Sequence, residues 1–278
     1  TGLDGLARSA RLASARAFGS DAFVVAKVAG GNLSRRDLAE KLERNPDITR
    51  SDVRFLDKVA GDLAVYAATA QRSADISAGG RTFENATVNG TEWTLPEIRD
   101  IGIDRGRFIT RDEDVSGAQV AVLGHSVVDA LFPDRDAIGH LVRIGGRGFR
   151  VVGVQLAQGT AGGQSLDRYV WIPLKTFERT FGAPASLQVF AAGAGDVPVT
   201  DAEAHARVSM RARRQLRPGA QDNFDIITPD ASRTFVARIT EQIGAAGPPI
   251  SLMALIAAMI VVTNTTLVSV TERTREIG

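Results

Sequence analysis

The 278-residue chain carries 33 Lys and Arg against 32 Asp and Glu, a net charge of +1, so it has no global field to attract nucleic acid or another polyanion. It contains no cysteine, which excludes disulfide frameworks, thiolate metal sites, Cys nucleophiles and iron–sulfur clusters. A hydrophobic content of 44% is ample for a core, and the length suits one large domain or two smaller ones.

In chain order, Leu3, Leu6, Ala10, Ala13 and Ala17 fall at helical spacing, and Gly19 stands as a stop. "AFVVAKV" (22–28) is β-rich and runs into the turn signal Gly30-Gly31-Asn32. A helix follows, with Ser34 as cap, Asp37 closing a capping box, Leu33 and Leu38 as a hydrophobic staple, and Asn45-Pro46 as its end. Residues 50–92 offer short β-type runs, "DVRFLDK", "LAVYAATA", "ADISAGG" and "ENATVNGT", in an antiparallel pattern. "TLPEIRDIG" reads as a short helix with a Thr94/Glu97 capping box and Pro96 in its first turn. Then come a buried strand "QVAVLG", a helix "SVVDALF", two strands across Gly145-Gly146, a flexible Gly- and Ser-rich loop at 159–167 and the strand "RYVWIPL". The strand "SLQVFAAG", a long helix at about 200–216, the strand "NFDIITP" and a helix from about 231 complete the order. Strand and helix alternation at both ends, with β-rich material between, predicts an α+β domain interrupted by a mostly β module.

No charge occurs between Ile243 and Thr271, and a helix over 250–271 would match a hydrocarbon core of roughly 30 Å. The competing reading is a buried helix, which Thr263, Asn264, Thr265 and Thr266 would allow. The absence of a polar face over 250–262 favours a membrane span.

Chemistry-bearing motifs are sparse. His125, His140 and His205 lack metal-ligand spacing, "RDED" (111–114) and "PDRD" (133–136) read as solvated turns, and neither a phosphate-binding loop nor a G-x-S-x-G elbow is present. The chain is therefore read as a non-enzyme with no cofactor of its own. The basic run "RARRQLR" (211–217) has two readings, a site for phosphates or an acidic partner, or the solvated last turn of a helix, where Arg suits the macrodipole.

Several stretches together resemble one family. "GRFITRDEDVSGAQVAVLGHSVVDALFPDRDAIGHLVRIGGRGFRVVGV" (106–154) is similar to the periplasmic core signature of MacB/FtsX-type ABC transporter permeases. "LRPGAQDNFDIITP" fits the position before that family's second membrane helix, and "LVSVTERTREIG" its cytoplasmic end. The resemblance implies a Porter-like α+β domain carrying an inserted, β-rich Sabre-like module, followed by one transmembrane helix. It divides the chain into a stalk helix (1–20), a first Porter-like segment (21–114), a Sabre-like insertion (115–182), a second Porter-like segment (183–230), a second stalk (231–249), a membrane helix (250–271) and the start of a coupling segment (272–278).

On that mapping the first membrane helix precedes Thr1 and two more follow Gly278, so the chain reads as a fragment of an inner-membrane permease with residues 1–249 outside the cytoplasm. The implied partners are an ABC ATPase subunit or fused domain that supplies ATP and Mg, a second permease copy, a periplasmic adaptor and an outer-membrane channel. Glu272, Arg273, Arg275 and Glu276 would meet the ATPase. Arg273 and Arg275 also agree with a positive-inside end. Ala254, Ala257, Ala258, Thr263, Asn264 and Thr266 would pack the membrane helix against a neighbour. The alternative from another class is a ligand-sensing ectodomain of a membrane signalling protein, which would need a pocket of convergent polar groups.

Overall fold

The computed structural model describes residues 22–29, 34–161 and 164–228. Both stalk segments, the membrane helix and every residue assigned above to coupling or membrane packing lie outside these residues. Among the described residues, no helix is long and apolar enough to cross a membrane.

Strand β1 (Ala22–Ala26) is buried along its whole length. Alternation sends Phe23 and Val25 to one core and Ala22, Val24 and Ala26 to another on the opposite face. Helix α1 (Arg35–Arg44) starts as expected, with the Ser34 hydroxyl accepting from the Asp37 N–H at 3.1 Å, but none of its residues is buried.

The first correction falls at "DVRFLDK", which is helical. In α2 (Arg50–Ala60) the Asp52 carboxylate accepts from the Thr49 N–H (2.9 Å) and hydroxyl (2.8 Å), while Val53, Leu56 and Ala60 form the buried stripe. The cap and the spacing of that stripe outweigh the β-branched composition of the run.

The β-type runs that follow are two long strands, β2 (Ala64–Ala78) and β3 (Arg81–Thr91), joined across Gly79 and Gly80, whose φ angles of 55° and 79° suit glycine. A bulge interrupts their register between Ala74 and Ile76. Opposite it Asn85 takes the left-handed conformation (φ 53°), and its N–H donates to Asp75 Oδ1 at 2.9 Å.

Helix α3 (Leu95–Ile98) forms, but without the expected capping box: Thr94 is itself in the right-handed helical region, and its hydroxyl donates to the Tyr66 carbonyl at 2.8 Å. After β4 (Ile103–Gly106), "RDED" is a helix and not a solvated turn. This α4 (Arg111–Ser116) is capped by Thr110 and Glu113 and stopped by left-handed Gly117.

The next elements are β5 (Val120–Leu123), α5 (His125–Leu131), β6 (Leu141–Ile144), β7 (Arg147–Gln155), the short ladder β8 (Thr160–Ala161) with β9 (Gln164–Ser165), and β10 (Tyr169–Pro173). An unanticipated helix, α6 (Leu174–Phe181), follows, burying Leu174, Thr176 and Phe177. β11 (Gln188–Gly193), α7 (Val199–Arg213) and β12 (Asp225–Ile227) agree with the sequence pattern.

Apart from the β8–β9 ladder, the strands form one ten-stranded sheet, with nine in the order β12-β1-β11-β2-β3-β10-β5-β7-β4. Strand β6 pairs with β7 on one side and returns to β2 on the other, through Ile76↔Ile144 and Ser77↔Arg143. The six strands β2, β3, β10, β5, β7 and β6 thus close on themselves, while β11, β1 and β12 extend outward from the first half of β2. The β-rich stretch 115–182 supplies β5, β6, β7 and β10 to the ring, and the earlier hairpin supplies the other two strands. The fold is α+β, and a single apolar cluster runs from Phe23, Leu56 and Ala68 beside the sheet extension to Phe149, Val154 and Ile172 of the ring.

Candidate functional site

The junction of ring and sheet extension lies on β2. Its residues from Ala64 to Thr69 pair with β11, those from Thr69 to Ala78 pair with β3, and Ile76 and Ser77 pair with β6. A tight contact braces this junction: a Cβ added at Gly90 of β3 would stand 2.4 Å from the Phe177 Cβ, so only glycine lets α6 lie this close. On the other face, the Arg99 guanidinium sits over the rings of Trp171 (5.8 Å) and Phe190 (5.1 Å), and burial lowers its pKa to about 10. The Trp171 indole N–H donates to Gln155 Oε1 at 2.7 Å.

Ionic ties fix the helices to this frame. The run "RARRQLR" is the largely solvated last turn of a helix, as one of its two readings has it, and three of its arginines are paired, so it is not an open basic site. Arg213 Nε and Arg214 Nη2 reach the buried Asp52 carboxylate at 3.3 and 3.2 Å, binding the end of α7 to the start of α2. Arg211 pairs with Asp222 and donates to the carbonyls of Arg217 (2.9 Å) and Ala220 (2.8 Å), closing the turn before β12. Lys41 on α1 contacts Asp225 of β12 at 2.7 Å.

Beside the junction, α2, β2, α4, α6 and the turn after β3 surround a cavity of about 670 Å3, lined among others by Arg50, Tyr66, Glu92, Asp114, Lys175 and Glu178. Glu92 Oε2 accepts from the Ala68 N–H at 2.8 Å and Asp114 Oδ2 from the Trp93 N–H at 3.1 Å. Burial pushes the Glu92 carboxyl up to about 7 against the lowering effect of the Ala68 N–H, and it raises Asp114 as well. The Tyr66 hydroxyl is pushed up to about 12, first by burial and then by the nearby Asp57 carboxylate. Sequence reasoning missed this cluster. Its members come from five separate stretches, and no spacing rule connects them.

Among the described residues, no group of three or more His, Asp or Glu is placed to hold a metal ion. His125 lies 3.7 Å from Asp129, and the His140 ring packs near Phe132, in separate places.

The fold of this chain has a counterpart among solved structures. Its architecture superposes on the periplasmic region of MacB from Actinobacillus actinomycetemcomitans with a TM-score of 0.64, at 20% identity, covering 82% of this chain and 97% of that one. The chain belongs to the MacB-like periplasmic core domain family, whose model matches residues 3–214.

Among curated relatives, the macrolide export ATP-binding/permease protein MacB of Chlorobaculum tepidum is 27% identical over 254 residues, covering 91% of this chain and 38% of the relative. MacB of Marinobacter nauticus is 30% identical over 236 residues, covering 82% of this chain and 35% of the relative. The chain thus spans little more than a third of the length of these relatives.

Proposed function

We propose that this chain is the extracytoplasmic domain and second membrane helix of a MacB/FtsX-type permease subunit in the inner membrane, and that it transmits movement rather than carrying substrate through itself. An ABC ATPase, as subunit or fused domain, binds ATP and Mg and closes on the cytoplasmic side. The stroke enters through residues 272–278 and the membrane helix, passes the stalks at 1–20 and 231–249, and moves the periplasmic domain against a second permease copy, an adaptor and an outer-membrane channel. A substrate is thereby exported or extracted on the periplasmic side.

The observation that carries this reading is β2. One strand of 15 residues, bulged between Ala74 and Ile76, is hydrogen-bonded to the sheet extension in its first half and to the ring strand β6 near its end, with one apolar cluster behind both. Close-packed interiors do not absorb displacement within a cluster of this kind, so a shift of β1, β11 and β12 is passed to the ring. In this reading Glu272, Arg273, Arg275 and Glu276 couple the chain to the ATPase, and Ala254, Ala257, Ala258, Thr263, Asn264 and Thr266 pack the membrane helix.

The test is a full-length permease in which Arg273, Arg275 and Glu276 are replaced together by Ala. ATP-dependent export should be lost while the periplasmic domain melts as in the parent. Export at the parental rate by the triple variant refutes the proposal.

A further inference from the structure

Strand β2 is paired with β3 from Thr69 to Ala78 on one side, but on the other side its neighbours leave a gap. There β11 begins at Gln188, in register with Thr69, and β6 stops at Ile144, in register with Ile76. Gly145 and Gly146, with φ angles of 53° and 80°, then turn the chain into β7. No described strand pairs with residues 70–75 on this side. The chain ahead of β11 does not fill the gap, because its hydrogen bonds go elsewhere. The Leu187 N–H donates to the Ile48 carbonyl at 2.9 Å, and the Ser186 hydroxyl oxygen accepts from the Ile48 N–H at 2.9 Å, which holds this stretch against the start of α2.

Alternation along the strand fixes which main-chain groups face the gap. The Glu92 N–H donates to the Ala68 carbonyl at 3.3 Å, so Ala68, and with it Ala70 and Arg72, turns its main-chain groups toward β3. The Ala194 N–H donates to the Leu63 carbonyl at 3.0 Å, so the odd-numbered residues from Leu63 to Ser73 turn theirs the other way. Thr87, opposite Ser73, agrees with this assignment: its N–H donates away from β2, to the Arg168 carbonyl at 2.9 Å. Gln71 and Ser73 therefore present their N–H and C=O groups to the gap. Both residues are exposed, and these groups have no partner among the described residues.

Sheet edges are commonly blunted by proline, a bulge or an inward-pointing charge. Residues 70–73 contain no proline, their ladder to β3 is regular until the bulge after Ala74, and the Arg72 side chain is drawn aside to the Phe181 carbonyl at 3.3 Å. A cavity of about 440 Å3 opens along this edge, bordered by Gln71 and Arg72, by Phe181 and Pro184 beyond α6, by Asn89 of β3 and by Gln188 of β11. Its described lining includes the exposed Arg72 and neither Asp nor Glu.

We propose that this gap takes an extended, acidic segment of a partner protein as an added strand, antiparallel to β2 like the two strands that flank it. The main chain of the guest bonds to the N–H and C=O groups of Gln71 and Ser73. Its side chains alternate between the Phe181 and Pro184 face and the Asn89 face, and one carboxylate meets Arg72. Residues 70–75 span roughly 20 Å at about 3.3 Å per residue, room for a strand of about four or five residues. This assignment concerns a docking edge and does not depend on the transmission reading above.

The experiment uses the full chain in detergent. Amide exchange read by NMR on the chain alone should show Gln71 and Ser73 exchanging at least about tenfold faster than Ala70 and Arg72, whose N–H groups face β3. Random linear peptides of about nine residues, displayed on phage, are then selected on the immobilised chain, and the leading peptide is synthesised and titrated by calorimetry. Selected peptides should be rich in Asp and Glu, and binding should slow exchange at Gln71 and Ser73 by at least about tenfold. Ser73→Pro removes a gap-facing N–H without touching the β3 ladder, so it should keep the parental circular dichroism and bind the peptide at least about tenfold more weakly. Methylating peptide nitrogens one at a time tests the same contacts on the unaltered protein, and only alternate positions should lose affinity. Slow exchange of Gln71 and Ser73 in the chain alone would mean that its own residues or a second copy already fill the gap, and it overturns the proposal. So does a selection that enriches no peptide or only Lys- and Arg-rich ones, parental affinity in Ser73→Pro, or tolerance of methylation at every position.

Discussion

Replacing Glu92 by Gln should stabilise the domain at alkaline pH. The Gln side-chain carbonyl can keep the hydrogen bond from the Ala68 N–H, now 2.8 Å to Glu92 Oε2, while the charge that burial penalises is removed. In the folded chain the carboxyl titrates at about 7 instead of 4.5. A raised folded-state pKa means that the folded protein holds the proton more tightly than the unfolded chain. The stabilising contribution is therefore complete below pH 4.5 and is lost as pH rises through 7. At about 1.4 kcal/mol per pKa unit, the loss above pH 7 is on the order of 3 kcal/mol, or roughly 6–12 °C in Tm for a domain of this size.

Thermal melts of the parent and Glu92→Gln, followed by circular dichroism from pH 5 to pH 9, read the effect directly. The parent should lose stability between about pH 5 and pH 8, and the variant should be flatter, with the gap at its full width from about pH 8 upward. A variant that melts below the parent at pH 8, or a parent whose Tm does not fall over that interval, refutes the reasoning.

Two further substitutions probe the frame. Asp52→Ala removes at once the cap of α2 and the carboxylate that receives Arg213 and Arg214, and should cost about 2–4 kcal/mol by urea unfolding, with the pairing share fading in high salt. Gly90→Val places a side chain where the Phe177 Cβ already stands, and should cost about 1–3 kcal/mol or more, with α6 displaced, as judged by faster amide exchange over residues 174–181.

Local patterns were legible where short-range physics decides. The Ser34 cap, the hairpin at Gly145-Gly146, the buried strands β5 and β10 and the long helix α7 all follow from capping, turn chemistry and periodicity. Reading failed where those signals competed. The segment beginning at Arg50 has β-branched and aromatic residues, yet Thr49 and Asp52 start a helix whose stripe at 53, 56 and 60 has a core to face. Helix α6 was hidden directly behind the strand "YVWIP", because a short apolar run does not declare its own period. Thr94 was a plausible cap by composition, but the Tyr66 carbonyl from another strand took its hydroxyl.

The sequence by itself determined the class and the family: an α+β chain whose ordered motifs between 106 and 154 mark the periplasmic core, in agreement with the family match over residues 3–214. These properties survive in a linear string because turns, caps and buried strands are encoded by neighbours. Only the tertiary structure decided that β6 returns to β2 to close a ring, that Arg213 and Arg214 converge on Asp52, and that Arg50, Tyr66 and Glu92 share one cavity. Each of these joins residues far apart in the chain, and their energies come from burial and from partners that exist only after folding. The shifted carboxyl of Glu92 is the clearest case, since in the unfolded chain it is an ordinary glutamate.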